Sequence, residues 1–593
     1  MKIKHLFGLA VIAAMTASCS SNEDLGTAGP GTGNNETGVG YATFTINLPS
    51  VGGSTTSGAR GTRAGEPTYN PGTPAESNVN DVTLLIFKKA GTSEGDYTFV
   101  EKADLGNMAP WKTEGSNGIT ASATITAKLN SVDLTNEGSK SDYYALAILN
   151  NNADATTGAG KVKLPTTGAT YSTWNDASNA VVAKFIDNTN GYYMANAPVY
   201  VADAEPTTLV NIDKIYATKQ KAETNAATTI HVERGLAKVS IESNAFPSTA
   251  LNPTGTKYHE DEVKITAWNL DVTNKSTFPI HKTAGLKNTK FSTIWNNTTT
   301  TTGASVARFV DGSNPSFKRV HWGIDPNYNT DLSNVPDCES QFTILPANAT
   351  INGAADKPQY CLENTFDIEH MKQGQTTRVV FKATYKPKGF GANETFYKIG
   401  NSTDLWNEAN LIKQIKAKAV EVLGVAETEI DVDLEATTND IKNNAGTKLL
   451  KEDNVKNGGA AVSPTNIAKI NEKLGLKAAG TDPIADPIVG IATYKSGESY
   501  YIARIKHFGV LTPWNEGDAT YGDDNNDNNT KYLGRYGVLR NNWYELKIGS
   551  VSGPGTPDVP TIKPDVPDDE SFRYISVSVK ILDWAKHSDT LEM

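Results

Sequence analysis

Tyr41-Ala42-Thr43-Phe44-Thr45-Ile46-Asn47-Leu48 alternates without a break. Extended, it puts Ala42, Phe44, Ile46 and Leu48 on one face and Tyr41, Thr43, Thr45 and Asn47 on the other. Residues 574–581 (YISVSVKI) repeat the design at the far end, with Ile575, Val577, Val579 and Ile581 sharing a face. Between them lie further β runs at 82–87 (VTLLIF), 143–149 (YYALAIL), 228–233 (TTIHVE), 238–242 (KVSIE), 263–272 (VKITAWNLDV), 378–385 (RVVFKATY), 500–505 (YYIARI) and 543–548 (WYELKI). Loops rich in Gly, Asn, Pro and Thr separate them, long ones at 150–160 and 296–303, and no fixed repeat is present. The pattern predicts an all-β chain of sandwich type. At 593 residues it has room for more than one core.

One region departs from period two. Leu405, Ile412, Ile415, Ala419 and Val422 fall on one helical face, with Thr403 placed to cap the start and Gly424 the end. A second helix is expected from Ser463-Pro464 to Leu474. Together they predict a helical insertion over about 401–480, between two strands.

Hydrophobic residues make up 38% of the chain and charged residues only 20%, with a net charge of −11 and no basic block. Nucleic acid is therefore not an expected partner. Residues 1–18 read as an export signal: Lys2 and Lys4, the apolar run LFGLAVIAAM at 6–15, then Thr16-Ala17-Ser18 before Cys19. The apolar run is shorter than the ~20 residues a membrane span needs. A small-residue triplet before Cys looks like a lipobox, which makes Cys19 the expected lipidation site and residues 19–40 a flexible tether. Cys338 and Cys361, with 22 residues between them, read equally as a disulfide or as two buried thiols.

Catalytic signatures are missing: none of the eight histidines sits in a zinc motif, and there is no nucleophile elbow or P-loop. No catalytic residue, metal or cofactor is expected. The acidic run 523–529 (DDNNDNN) lacks the turn glycine and distal glutamate of a calcium loop and reads as solvated.

Residues 553–569 hold five prolines and several acids, which reads as an extended linker (551–570) isolating a C-terminal strand (571–593). A lone strand cannot satisfy its backbone, so it must dock on its own chain or on another. After the first strand, residues 58–65 (GARGTRAG) offer an arginine protease Arg60 and Arg63 in a small flexible loop. Cutting there would free residues 41–63 and open a groove that a neighbour's last strand could fill, giving a head-to-tail polymer. The plainer alternative is that both strands pair within one chain.

Five stretches taken in order resemble the fimbrillins of Bacteroidales type V pili, most of all the shaft subunit of the minor (short) fimbria. They are the lipobox at Cys19, the strand with its arginine loop, residues 232–239 (VERGLAKV), residues 534–544 (GRYGVLRNNWY) and the tail 575–591. The resemblance implies two transthyretin-like β-sandwich domains in tandem, 64–234 and 235–550, joined near residues 233–237. It also implies a lipidated precursor at the outer membrane, cleavage at Arg63-Ala64 (Arg60 second) by an arginine-specific protease, and polymerisation by donor-strand exchange. The implied partners are further copies of the chain and the fimbrial anchor and tip subunits. The insertion and the two extra cysteines depart from the family pattern. Residues 536–544 are expected to be a turn and strand with aromatic packing. Two rivals remain: a tip or accessory subunit, and a non-polymerising lipid-anchored binder of glycans or host ligands, with Trp111, Trp174, Trp268 and Trp322 as its stacking candidates.

Overall fold

The structure is a computed structural model that describes residues 38–48, 74–114, 120–135, 137, 139–151, 160–176, 185, 191–200, 206–242, 253, 257–284, 318–320, 322–367, 370–482, 486–507, 534–568, 575–583 and 589–590. Every β run named above falls on a strand, with Leu48, Glu242, Val272 and Ile505 one residue past its end and Tyr574 outside the described residues. The chain is mostly β, and its strands form several sheets around separate hydrophobic cores, the largest of them described in turn.

Strand β1 (Gly40–Asn47) is an inner strand of a nine-stranded sheet. It pairs antiparallel with β2 (Thr120–Leu129) on one side and parallel with β3 (Thr228–Arg234) on the other. Lys112–Glu114 follows beyond β2; beyond β3 come Met194–Asn196, Tyr143–Leu149, Val82–Lys88 and Thr98–Asp104. The sheet curls so that Thr98–Asp104 returns to the end of β2, where Glu101 accepts from the Asn130 and Ser131 amides at 2.9 and 2.8 Å. Phe44, Ile46, Leu84, Ala123, Leu129, Ala145 and Ile230 fill its core. Val82–Lys88 and Tyr143–Leu149 are apolar on both faces because their outer sides are covered too, by Phe99, Tyr171 and Trp174.

The chain crosses at Gly235 into β4 (Ala237–Ile241), which pairs parallel with β5 (Asn542–Val551). The sheet runs Gln359–Cys361, β4, β5, β6 (Ile575–Asp583), Asp589–Thr590. It faces a second sheet of Glu262–Asp271, Arg378–Lys386 and Glu498–Arg504. Val239, Trp268, Phe381, Tyr544 and Leu546 lie between the two.

The insertion does sit between two paired strands, Arg378–Lys386 and Glu498–Arg504. It is not purely helical. Around α1 (Glu408–Leu423) and α2 (Pro464–Lys473) it adds two small sheets and a core of its own. Leu405–Trp406 is a strand paired with Phe396–Ile399, so α1 starts later than expected, capped by Asn407 rather than Thr403. Leu411, Ile415 and Ala419 then face inward, Ile412 and Val422 only partly. Gly424 ends α1 at φ 69°, and Ser463 caps α2, both as the residue types dictate.

The proline-rich stretch is a correction. It is extended, but residues 553–568 lie against the C-terminal sandwich, with all five prolines buried. Proline has no N–H, so these positions are covered without stranding a donor.

Candidate assembly interface

β1 is gripped on both edges and one face. Ala42, Phe44, Ile46 and Leu48 are 1, 0, 0 and 7% exposed, while the alternate residues are half-exposed. On that outer face Thr43 and Thr45 meet Thr126 and Thr124 hydroxyl to hydroxyl at 2.8 Å, and Thr43 also donates to the Ala222 carbonyl at 2.9 Å. Tyr41 exchanges both backbone hydrogen bonds with Tyr216. A Cβ on Gly40 would sit 2.6 Å from Ile215, so the strand enters where only glycine fits. Removing an inner strand leaves two rows of unpaired backbone groups facing one slot, an arrangement another strand can complete.

Among the described residues, one edge of β6 pairs antiparallel with β5 through nine residue pairs and the other with Asp589–Thr590 through two. The register sets Ile575, Val577, Val579 and Ile581 opposite Val551, Ile548, Leu546 and Tyr544, which are buried. β1 and β6 thus occupy different sheets of one chain. Cys19, Arg60, Arg63 and Ala64 lie outside the described residues, as does 523–529.

The two mid- and late-chain motifs, far apart in sequence, meet at the joint between the sandwiches. Lys238 pairs with Trp543, its Nζ 3.7 Å above the indole ring. That Nζ is 2.9 Å from the carboxylate of Glu76, which is wholly buried and also accepts from the Tyr360 hydroxyl at 2.5 Å. Arg234 donates to the Glu76 carbonyl at 2.8 Å, and its amide to Asn541 at 3.1 Å. Glu233 meets His281 Nδ1 at 2.8 Å, and Arg540 meets Glu363 at 3.0 Å. Burial lowers the Lys238 ammonium pKa even against the pull of Glu76. Burial also works against the charged Arg540 guanidinium, but the Glu363 and Glu233 carboxylates outweigh it and the pKa rises. Removing one member of such a buried pair costs about 3–5 kcal/mol, because its partner is stranded. Gly235 is required here: a Cβ would come 2.8 Å from Tyr193 and 2.9 Å from Phe185, whose rings stack. Residues 536–544 do form a turn and strand with aromatic packing, Tyr544 against His507. Their charged role at the joint was not foreseen.

Cys338 and Cys361 are free buried thiols in different clusters, so the disulfide reading gives way to the two-thiol one. Burial pushes each up to about 12, which leaves little nucleophilic thiolate. Trp174, Trp268 and Trp322 are buried and Trp111 is half-buried, so these four provide no open stacking platform. Among the described residues no group of three or more His, Cys, Asp and Glu could hold a metal, and no helix is long and apolar enough to cross a membrane.

Residues 492–590 match the family model described as major fimbrial subunit protein type IV, fimbrillin, C-terminal. The match covers the strand Glu498–Arg504, β5, the proline-rich segment and β6, and it agrees with the fimbrillin resemblance drawn from the sequence. It supports a fimbrial subunit. No curated protein matches the chain. Similar solved structures include a fimbrillin (FimA) from Porphyromonas gingivalis W83, at 11% identity over 92% of this chain and 97% of that one, TM-score 0.33. A fimbrial assembly protein from Parabacteroides distasonis ATCC 8503 aligns at 12% identity over 62% and 94%, TM-score 0.27. The C-terminally truncated tip fimbrial protein of Porphyromonas gingivalis aligns at 10% identity over 92% and 100%, TM-score 0.27. At these scores the likenesses carry no argument of their own.

Proposed function

We propose that this chain is a structural subunit of a fimbrial shaft that supports adhesion. It is exported as a lipoprotein precursor acylated at Cys19 and reaches the outer membrane, where an arginine-specific protease cuts at Arg63-Ala64 or at Arg60. β1 leaves with the lipid, and β6 of a neighbouring copy enters the slot between β2 and β3. The lipid then serves delivery, and the mature subunit is held by its neighbours, with anchor and tip subunits closing the ends. The observation that carries the reading is β1 itself: an inner strand with four buried apolar residues, followed by the arginine loop and matched in spacing by the C-terminal strand. Burying Ile575, Val577, Val579 and Ile581 of a donated strand would contribute roughly 6–12 kcal/mol before entropy, at ~1.5–3 each. That suffices to hold a donated strand only together with the ladder on both edges. A one-residue slip would turn all four to solvent, which fixes the register.

Trypsin treatment of purified precursor tests this. Cleavage after Arg63 should yield a ladder of polymers on unheated SDS gels, and deleting residues 571–593 should abolish the ladder while leaving a folded monomer. Monomer alone under every condition would instead favour the non-polymerising surface protein.

A further inference from the structure

We infer that residues 553–568 form a strap that stays docked on the C-terminal sandwich when the C-terminal strand is donated, so that the strand pivots directly after Asp568. The inference rests on the assembly reading above and adds to it where each donated strand leaves its own subunit.

The strap is fixed along its length. At its start the Tyr501 and Tyr494 hydroxyls donate to the carbonyls of Gly553 and Gly555 at 3.0 and 2.8 Å, and the Gly555 amide donates to Ser499 at 2.8 Å. Thr556 and Tyr500 exchange backbone hydrogen bonds at 2.9 Å, and the Val559 amide donates to Ala347. In the middle, Arg378 is fully buried, held by Asp271 at 2.7 Å, and donates to the Pro560 carbonyl at 2.5 Å. Val559 packs with Ala267, Val380 and Tyr500 on the face of the sheet turned away from the main core. At the end, Asp568 is pinned three ways: its carboxylate takes Arg504 Nε at 2.7 Å and the Thr376 hydroxyl, and its amide donates to Met371 at 3.0 Å. Lifting the strap would take the Asp568 carboxylate from Arg504 and the Pro560 carbonyl from the fully buried Arg378, a larger cost than the loss of a solvated contact. β6 is held through backbone ladders, with β5 on one edge and Asp589–Thr590 on the other, whereas the strap's own ties run up to Asp568. The division between what stays and what moves therefore falls at Asp568.

The molecule carries its own reporter. Ile562 of the strap packs in one cluster with Cys338, Val272, Leu332 and Phe342. At Gly374 the fit is so close that a Cβ would lie 2.8 Å from Pro564 Cα and 2.9 Å from Cys338 Sγ. Cys361 packs in a different cluster from Ile562 and Cys338 and serves as the control.

N-ethylmaleimide labelling of the full chain, read by peptide mass mapping, separates the two thiols. In protease-made polymer Cys338 should react within about threefold of its rate in the monomer, since opening still requires lifting the strap. A rise of tenfold or more on polymerisation, with Cys361 unchanged, would overturn the inference. In monomer, Asp568→Ala should raise Cys338 labelling at least about tenfold while leaving Cys361 protected. If Cys338 stays as protected as in the parent chain, Asp568 is not the pin and the pivot assignment falls. Should no polymer form at all, the assembly reading fails, and the monomer comparison still decides the pin.

Discussion

Phe44 has no solvent exposure, yet on the proposed pathway it belongs to a segment the mature subunit discards. That makes it a discriminating residue. Phe44→Ala should destabilise the precursor by about 3–5 kcal/mol through cavity formation. Once cut and polymerised, the same chain should be indistinguishable from the parent in denaturant resistance. A persistent loss in the polymer would mean that β1 stays. A second residue reports on pH. Burial raises the Asp325 carboxyl to about 7, against hydrogen bonds from Thr365, Asn274 and Asn327 that favour its charged form. A raised carboxyl pKa stabilises the fold at low pH, and that contribution is lost as pH climbs from about 4 towards 7. The slope is up to about 1.4 kcal/mol per pH unit for one proton. Urea unfolding at pH 5 and 7.5 should show stability falling across that interval, and Asp325→Asn should flatten the fall. An unchanged slope would assign it to other groups.

At the scale of elements, much was legible because each signal is local. Period two placed the strands, and the buried face of β1 is the one its alternation predicts. Ser463 and Gly424 mark their helix ends because an N-cap oxygen and a left-handed residue act within one turn. Thr403 misled because Leu405–Trp406 is claimed by a partner strand, a tertiary fact invisible to capping rules. The strap misled for a related reason: proline and acid signal solvation, but these prolines are buried and the key acid, Asp568, is paired. Nor could the joint be foreseen, since Glu76 and Lys238 are 162 residues apart and charge gives no period. The insertion supports a prediction of its own. Its neck is narrow, with the Gly400 amide donating to the Gly490 carbonyl at 2.8 Å, and its core is separate. Replacing residues 401–489 with a tight Asn-Gly turn should leave a cooperatively melting chain that still polymerises. Loss of the fold, seen as a missing thermal transition, would make the insertion part of the sandwich.

For the whole molecule, the joint and the strap define the arrangement. β3 lines the β1 slot and ends at Arg234 in the buried charge network, from which β4 leads into the sheet that carries β6. β1 and β6 therefore sit on two cores joined by that network. The most direct test of strand exchange uses two disabled chains. One lacks residues 571–593 and is cut by the arginine-specific protease, so it can only accept. The other carries Arg60→Ala and Arg63→Ala and keeps β1, so it can only donate. Mixed after protease removal, they should form a single one-to-one complex on unheated SDS gels, and neither should assemble alone. Ladders from either chain alone, or no complex from the mixture, would contradict donor-strand exchange.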